Sequence, residues 1–464
     1  MKKEVVKNCI LTLLICICVF LFYKIWFSEK LWSSDYNFFT IIGGNSAPET
    51  DTSSTIEDIL RPKKIIFSYG GNRFVSTKGD KDFEDYYSEV RTVLGGITEN
   101  NSKFTDATGE EFLAAAKSAS IIVDFGTVFG GEIGAFLGTY FPCEQVKDVV
   151  ISFNDTALGK PVVLLRDQAN GKIYKTVVDM PLSPLVESVD SHIRRTAPGN
   201  LPFAFELGFN EEKQSENSEI TQDILLDANI IIDLADTSAS AIDIIPVSAI
   251  DLTSAESNSL LRQFGMNKSS TKKYIETNDD ILFVDSKATL KISSTGTLEY
   301  TCEADGPEIY DPYSKTALSS AVGNIFSYIR SVFRTFDVTS PELQISSNLS
   351  NLSNNTEEVT IYIDYYANSI PVMAWENGHA IAVTLKNGRL TSYKQQVCRI
   401  KTTGETLSSG NMLQAVDGLY SSLPEGSKVT VSDLFVAYTK ENKLSWCARL
   451  SGFEELFVIN REGI

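Results

Sequence analysis

Histidine is nearly missing from this chain: His192 and His379 are the two among 464 residues. Neither has a histidine four positions away, so the zinc-binding helix of a metalloprotease is excluded. A Ser-His-Asp arrangement would lack the G-x-S-x-G elbow that carries its nucleophile. Cysteine is sparse too, seven in all, and no C-x-x-C occurs, which removes zinc ribbons and thioredoxin-type redox chemistry. Cys143, Cys302, Cys398 and Cys447 are scattered. Cys398 and Cys447 fall in one expected domain and are either a disulfide pair or buried free thiols. No run of basic residues exists and the net charge is −19, so the chain repels nucleic acid and anionic head groups.

Motifs that look chemical lose their partners on inspection. Gly130-Gly131-Glu132-Ile133-Gly134 and Gly138 are not followed by the Lys-Ser/Thr of a phosphate loop, so turns or close packing account for them. Ser269-Ser270-Thr271-Lys272-Lys273 holds S-x-x-K matches without the S-D-N and K-T-G elements that acylases need. Asp223, Asp227, Asp233 and Glu357-Glu358 show no pattern of paired carboxylates, and no calcium loop is present. Trp375 and Trp446 are read as core aromatics before sugar platforms. Catalytic, cofactor and metal residues are therefore expected to be none.

What is present is one long apolar run. Cys9 to Tyr23 carries no charge; Lys2, Lys3 and Lys7 precede it, and Lys24, Ile25, Trp26 and Phe27 follow. With Lys24 snorkelling, residues 9–27 span about 28 Å as a helix, enough for a hydrocarbon core of about 30 Å. Tyr23, Trp26 and Trp32 suit an aromatic belt, and the basic flank puts residues 1–8 in the cytoplasm and the bulk outside the cell. The bulky, charged exit argues against a cleaved signal peptide. Ile15 and Ile17 argue against a lipoprotein. The run is expected to lie in the lipid bilayer as a single-pass anchor. Cys9, Thr12, Cys16 and Cys18, small or weakly polar, are the expected partner-binding face of that helix.

The remainder reads as α+β. Residues 28–55 form a linker, 56–202 an N-terminal α+β domain, 203–310 a middle α+β domain and 311–464 a C-terminal domain. Strands Lys64–Tyr69 and Arg73–Thr77 flank a glycine turn, with Asp80 expected to cap the following helix. Thr108-x-x-Glu111 is a capping box. Strands follow at Ser120–Phe125 and Val146–Phe153. Asn170-Gly171 joins Pro161–Asp167 to Lys172–Val178, and a helix at Pro184–Arg195 closes the domain. The middle domain has strands at Ile224–Leu234 and Ile242–Val247, a helix at Ser254–Gly265, then strands Ile281–Asp285, Ala288–Ser293 and Thr297–Cys302. In the last domain a helix with the stripe Leu318, Val322, Ile325, Phe326, Ile329 and Phe333 precedes strands Val359–Tyr366, Pro371–Trp375, Ala380–Leu385 and Leu390–Val397. Asn377-Gly378 and Asn387-Gly388 are expected to tie the last three into a meander. A second helix, Leu407–Leu423, precedes strands Lys428–Tyr438, Leu444–Leu450 and Leu456–Asn460. Twice, then, a helix should cover an antiparallel meander.

These pieces, in this order, resemble the YycH family. Ile56-Glu57-Asp58-Ile59-Leu60-Arg61-Pro62-Lys63-Lys64-Ile65-Ile66 is similar to its opening, Asp124-Phe125 to a later pattern, and Ser369-Ile370-Pro371-Val372 to its "G-x-P-V" segment, with Ser369 in place of glycine. Leu434-Phe435-Val436-Ala437-Tyr438 through Ser445-Trp446 to Ile459-Asn460 resembles a C-terminal unit shared with the sister YycI proteins and similar to PepSY folds. The middle matches by position only. The resemblance implies a non-enzymatic, membrane-anchored regulator of a cell-wall sensor histidine kinase. Its implied partners are that kinase and a YycI-like regulator, met through the membrane helix and nearby exterior surface. It implies no catalytic residue. The alternative is an anchored binding or inhibitory module for cell-wall polymer or an exported peptidase.

Overall fold

The computed structural model describes residues 60–459, apart from 70, 155–158, 196–200, 212–223, 248–251, 304–305, 314–316, 348, 350–357, 376–377, 424–426, 452 and 454–455. The expected anchor at 9–27 lies outside the described residues. Among the described residues no helix is long and apolar enough to cross a membrane. The architecture is mixed α+β and rich in sheet, with seven α-helices among the described residues.

The first sheet uses β1 (Lys64–Tyr69), β2 (Asn72–Thr77), β3 (Thr105–Ala107), β4 (Ser120–Phe129), β5 (Val146–Ser152), β6 (Val162–Asp167) and β7 (Ile173–Val177) in the order β2-β1-β4-β5-β6-β7-β3. All its pairings are antiparallel. Both faces are covered, which is why its inner strands are continuous apolar runs instead of alternating ones. Ile66, Ile122, Val150 and Leu164 pack with Phe112 and Ala116 of the helix Gly109–Lys117. On β1 the next residue, Phe67, turns to the other face and meets Tyr86 of the helix Phe83–Glu99 and His192 of the helix Ser183–Arg195. The Thr108–Glu111 capping box forms as the sequence indicates. Asp80 does not cap: its carboxylate accepts the Thr77 N–H at 2.6 Å, closing a turn after β2, and the helix starts at Phe83 behind Asp82.

The larger sheet contains β8 (Ile224–Leu226), β10 (Lys272–Ile275), β11 (Ile281–Val284), β12 (Ala288–Ile292), β13 (Thr297–Cys302), β14 (Glu342–Ile345), β15 (Glu358–Ala367), β16 (Ile370–Val372), β17 (Ile381–Lys386), β18 (Arg389–Gln396), β20 (Val429–Tyr438), β21 (Leu444–Leu450) and β22 (Leu456–Ile459). Its main path runs β10-β11-β12-β13-β18-β17-β15-β16-β20-β21-β22. A single parallel pair, Val372↔Tyr438, carries it from β16 to β20. The helices Ser254–Gln263 and Ala317–Thr335 cover tyrosines of its first part: Phe264 touches Tyr300 and Tyr393, and Phe333 touches Tyr365. Val322, Ile325, Phe326, Ile329 and Phe333 of the expected stripe are all buried. The helix Met412–Ser422 covers the last strands through Met412, Ala415 and Leu419 against Val431, Leu434 and Trp446.

Several expectations need correction. The strand expected at 224–234 stops at Leu226, because Asp227 turns the chain: its N–H donates to Val431 O and its carboxylate accepts the Asn229 N–H. The helix expected from Leu407 begins at Met412, behind an Asn411–Gln414 capping box. Residues before it belong to a long strand, β19 (Cys398–Gly410), which pairs with β9 (Thr237–Pro246) as a two-stranded ribbon. Asn387-Gly388 does join β17 to β18; Asn377 of the other expected turn lies outside the described residues, and β16 and β17 are not paired with each other. β16 and β17 follow one another along the same side of β15, pairing with residues 365–367 and 358–363, while β14 takes the other side.

Candidate functional site

The two sheets meet along a seam of buried charge. Lys63, just before β1, donates from Nζ to Asp433 Oδ2 of β20 at 3.3 Å, and the same ammonium lies 4.6 Å from the centre of the Phe435 ring. Lys64 Nζ pairs with Asp124 Oδ2 of β4 at 3.1 Å. Lys147 of β5 donates to the Ser432 carbonyl at 2.8 Å. Arg166 of β6 reaches both Asp148 and Asp227, each at 3.2 Å, and Asn229 Nδ2 donates to Asp148 Oδ2 at 2.7 Å. Lys63 and Lys147 thus reach β20, Asp148 and Arg166 reach the segment 227–229, and Lys64–Asp124 ties β1 to β4 within the first sheet.

Irregular backbone builds this seam. The register shifts between Asp124 and Phe129 on β4, between Val146 and Val149 on β5, and between Val431 and Asp433 on β20. Such bulges turn side chains off the regular alternation. Gly126 sits in the β4 irregularity at φ +70, and its N–H donates to Asp124 Oδ1 at 2.8 Å. A β-carbon there would come within 2.5 Å of Lys63 Cδ, so glycine is what lets Lys63 pass.

Burial and charge compete at each acid. Burial pushes the Asp433 carboxyl up, but Lys63, Lys147, Lys64 and Arg449 outweigh it and hold the group far below the usual range. Asp124 is treated the same way: burial raises it, Lys64 and Lys147 win, and it ends lowered. At Asp148 the balance tips the other way, since burial, helped by the nearby Asp227 charge, exceeds the pull of Arg166 and the carboxyl is raised. Its Oδ1 is buried with no hydrogen-bond partner among the described residues. Lys64 and Lys147 are raised, burial being overcome chiefly by Asp124.

The residues singled out by chemistry take structural places. His379 Nδ1 lies 2.8 Å from Asp364 Oδ1 and 3.3 Å from Ser346 Oγ, and the ring stacks on Tyr362. Serine and carboxylate share one ring nitrogen, whereas a catalytic triad needs them on opposite nitrogens. His192 repeats this pattern: Nε2 faces both Ser188 Oγ at 3.1 Å and Glu89 Oε1 at 3.3 Å. Ser269 donates to Asn267 Oδ1 at 2.8 Å, while Lys272 and Lys273 are exposed on the edge strand β10. Gly131 and Gly134 sit against backbone of residues 139–143, as close packing requires. Trp446 is buried and donates to Gly410 O at 3.2 Å; Trp375 meets Tyr365 edge-on at 5.3 Å. Asp227 joins the seam, and Asp233 accepts the Ala235 N–H. Cys143, Cys302, Cys398 and Cys447 form no disulfide, so Cys398 and Cys447 do not pair. Among the described residues no group of three or more His, Cys, Asp or Glu is placed to hold a metal. Cys9, Thr12, Cys16 and Cys18 lie outside the described residues.

Sequence reasoning missed the seam. Its one trace is Asp433, a carboxylate in the middle of the otherwise apolar or hydroxylated strand Val429–Tyr438.

No family model matches the chain, and no curated protein matches it in sequence. Among solved structures it is similar to the crystal structure of YycH from Bacillus subtilis. The two are 12% identical with a TM-score of 0.56, over 89% of this chain and 98% of that one. The chain has a YycH-like fold.

Proposed function

We propose that this chain is a non-enzymatic, single-pass membrane protein that regulates a sensor histidine kinase of cell-wall homeostasis. The observation that carries this is the YycH-like fold, spanning nearly the whole of both chains. It is joined by the apolar run at 9–27 with its basic flank. In this reading the N-terminus is cytoplasmic and the described body lies outside the cell. The membrane helix packs against kinase helices through Cys9, Thr12, Cys16 and Cys18, and a YycI-like regulator shares the assembly. The C-terminal helix-on-strand units act as PepSY-like interaction modules. The seam gives the body rigidity close to its first residues: Lys63 and Lys64 are pinned to Asp433 and Asp124. A partner that shifts β20 or β4 therefore acts on the start of the folded chain. Regulation requires that the chain contact the kinase states differently.

The deciding experiment exchanges residues 9–27 for an unrelated spanning helix of equal length. Kinase output and co-purification should both change. If neither changes, the transmembrane part of the reading fails.

A further inference from the structure

The larger sheet ends on β10, which pairs with β11 and with no other strand among the described residues. All four of its residues, Lys272–Ile275, are exposed. The ladder fixes which backbone groups face outward. Glu276 N–H donates to Asp280 O at 2.9 Å, so Glu276 stands in a hydrogen-bonded pair, and by alternation Tyr274 and Lys272 do too. The N–H and C=O groups of Lys273 and Ile275 therefore point away from β11. The edge is held at both ends: Thr271 N–H donates to Asn267 O at 2.9 Å before it, and the Glu276–Asp280 turn closes it behind.

Two features of this edge argue for one occupant. The first is apolar. Ile275, Ile281, Ile292 and Leu298 lie side by side across β10, β11, β12 and β13. The last three are buried, whereas Ile275 is 68% exposed, so the apolar row stops one strand short of cover. The second is charge. Lys268, Lys272 and Lys273 are exposed, and no acid lies between residues 268 and 275. Of the acids that follow, Glu276 and Asp280 are taken by Lys291 at 2.9 and 3.0 Å. In a chain of net charge −19 this edge is a local reversal of sign.

We infer that β10 takes an extended acidic segment of a partner protein as an added antiparallel strand. The segment exchanges N–H···O bonds with Lys273 and Ile275, an apolar side chain beside Ile275 completes the row, and carboxylates lie opposite Lys272 and Lys273. A second copy fits less well, since pairing two β10 edges would bring both lysine clusters into one ribbon. The inference stands apart from the kinase reading and survives if that reading fails.

The test is calorimetric titration of the full chain with N-acetyl-Thr-Val-Thr-Glu-Glu-Thr-amide, whose Val falls opposite Ile275 and whose two Glu fall opposite Lys273 and Lys272. It should bind with a Kd of about 1 mM or below, and the peptide with Lys for both Glu at least about tenfold more weakly. N-methylation of the first Glu removes the N–H aimed at Lys273 O and should cost about tenfold. N-methylation of the second Glu, whose N–H faces solvent, should cost less than about twofold. The variant Lys272→Glu/Lys273→Glu should reverse the order of the acidic and basic peptides with an unchanged circular dichroism spectrum. No binding of the acidic peptide at millimolar concentration, equal binding of the two charge forms, equal loss from the two N-methylations, or a folded variant that keeps the original order would each overturn the inference. So would a dimer of the full chain, seen by sedimentation, that the double variant dissolves, because a second copy would then hold the edge. If the variant fails to fold, the four peptides on the unaltered chain decide alone.

Discussion

Lys63 Nζ and Asp433 Oδ2 lie 3.3 Å apart although 370 positions of sequence separate them. This contact, with Lys147 donating to the Ser432 carbonyl beside it, bonds the first sheet to β20. Its worth follows from what remains when one partner is lost. Removing one member of a buried pair strands the other charge, a cost of about 3–5 kcal/mol when both are fully buried. Lys63 and Asp433 keep 23% and 11% of their side-chain exposure, so the cost should be smaller.

Asp433→Asn is therefore expected to destabilise the protein by about 2–3 kcal/mol. Asp148→Asn should cost less than about 1 kcal/mol at neutral pH, because that carboxyl is raised by burial and its Oδ1 has no partner. Urea unfolding of the two variants at pH 7 measures both. Equal losses would contradict the opposed directions assigned to the two acids.

The same directions set a pH dependence. Asp433 and Asp124 are held below their unfolded value of about 3.9, so their contribution is complete above that pH and is lost as pH falls towards their folded values. Asp148 has the opposite sign: its share is complete below about pH 3.9 and is lost as pH rises through its folded value. Unfolding free energies measured from pH 3 to 7 should show a flatter acid limb in Asp433→Asn. Asp148→Asn should gain on the unaltered chain as pH increases. A profile for Asp433→Asn parallel to that of the unaltered chain would refute the assignment.

Gly126 and Gly171 separate backbone strain from crowding. Both have positive φ, +70 and +73, but a β-carbon at 171 meets nothing within 4 Å while one at 126 meets Lys63. Gly171→Ala should cost about 1 kcal/mol, the left-handed penalty alone. Gly126→Ala should cost at least about 1 kcal/mol more, because Lys63 must move off Asp433. Thermal melts of the two variants, with Gly126→Ala/Lys63→Ala as the relief test, check this. If the second substitution recovers nothing, crowding against Lys63 is not the cause.

Trp446 offers a check on core against ligand platform. It is 7% exposed, within the cluster of Leu419, Val431 and Leu434. Trp446→Ala is expected to cost about 3–5 kcal/mol. A stable Trp446→Ala protein with lost glycan binding would reverse the assignment.

The proposed membrane face makes a further expectation. Replacing Cys9, Thr12, Cys16 and Cys18 together by leucine keeps the run apolar but removes small surfaces for close helix approach. Co-purification with the kinase should fall while membrane insertion, read by carbonate extraction, persists. Unchanged co-purification would move the contact elsewhere.

Legibility in the sequence followed local signals. The strands around Ile281–Cys302 and the capping box at Thr108 were readable because alternation and capping are properties of neighbours in the chain. β19 was not, since most of Cys398–Gly410 is polar and outside the core, and its regular structure depends on β9. The short strands β10 and β14 likewise take their character from β11 and β15. The placement of β16 and β17 is not legible because the two pair one after the other with a single side of β15, whereas the sequence between them looks like a turn joining neighbouring strands. The seam was invisible for a stronger reason: Lys63, Asp124, Lys147 and Asp433 carry no mutual spacing rule, and bulges aim them.

The distance along the chain between Lys63 and Asp433 also bears on how the protein is made. A ribosome completes β1, β4 and β5 long before it reaches β20. Until then Lys63 and Lys147 lack Asp433 and the Ser432 carbonyl, and the first sheet is an unfinished surface studded with solvated charge. Domains begin to fold in the order of synthesis, but this one cannot close until its final strands arrive. A product cut short before residue 429 would leave Lys63 and Lys147 exposed to water in place of Asp433 and the Ser432 carbonyl. The contacts of β20 thus make the first sheet's charged edge complete only once the C-terminal strands are present.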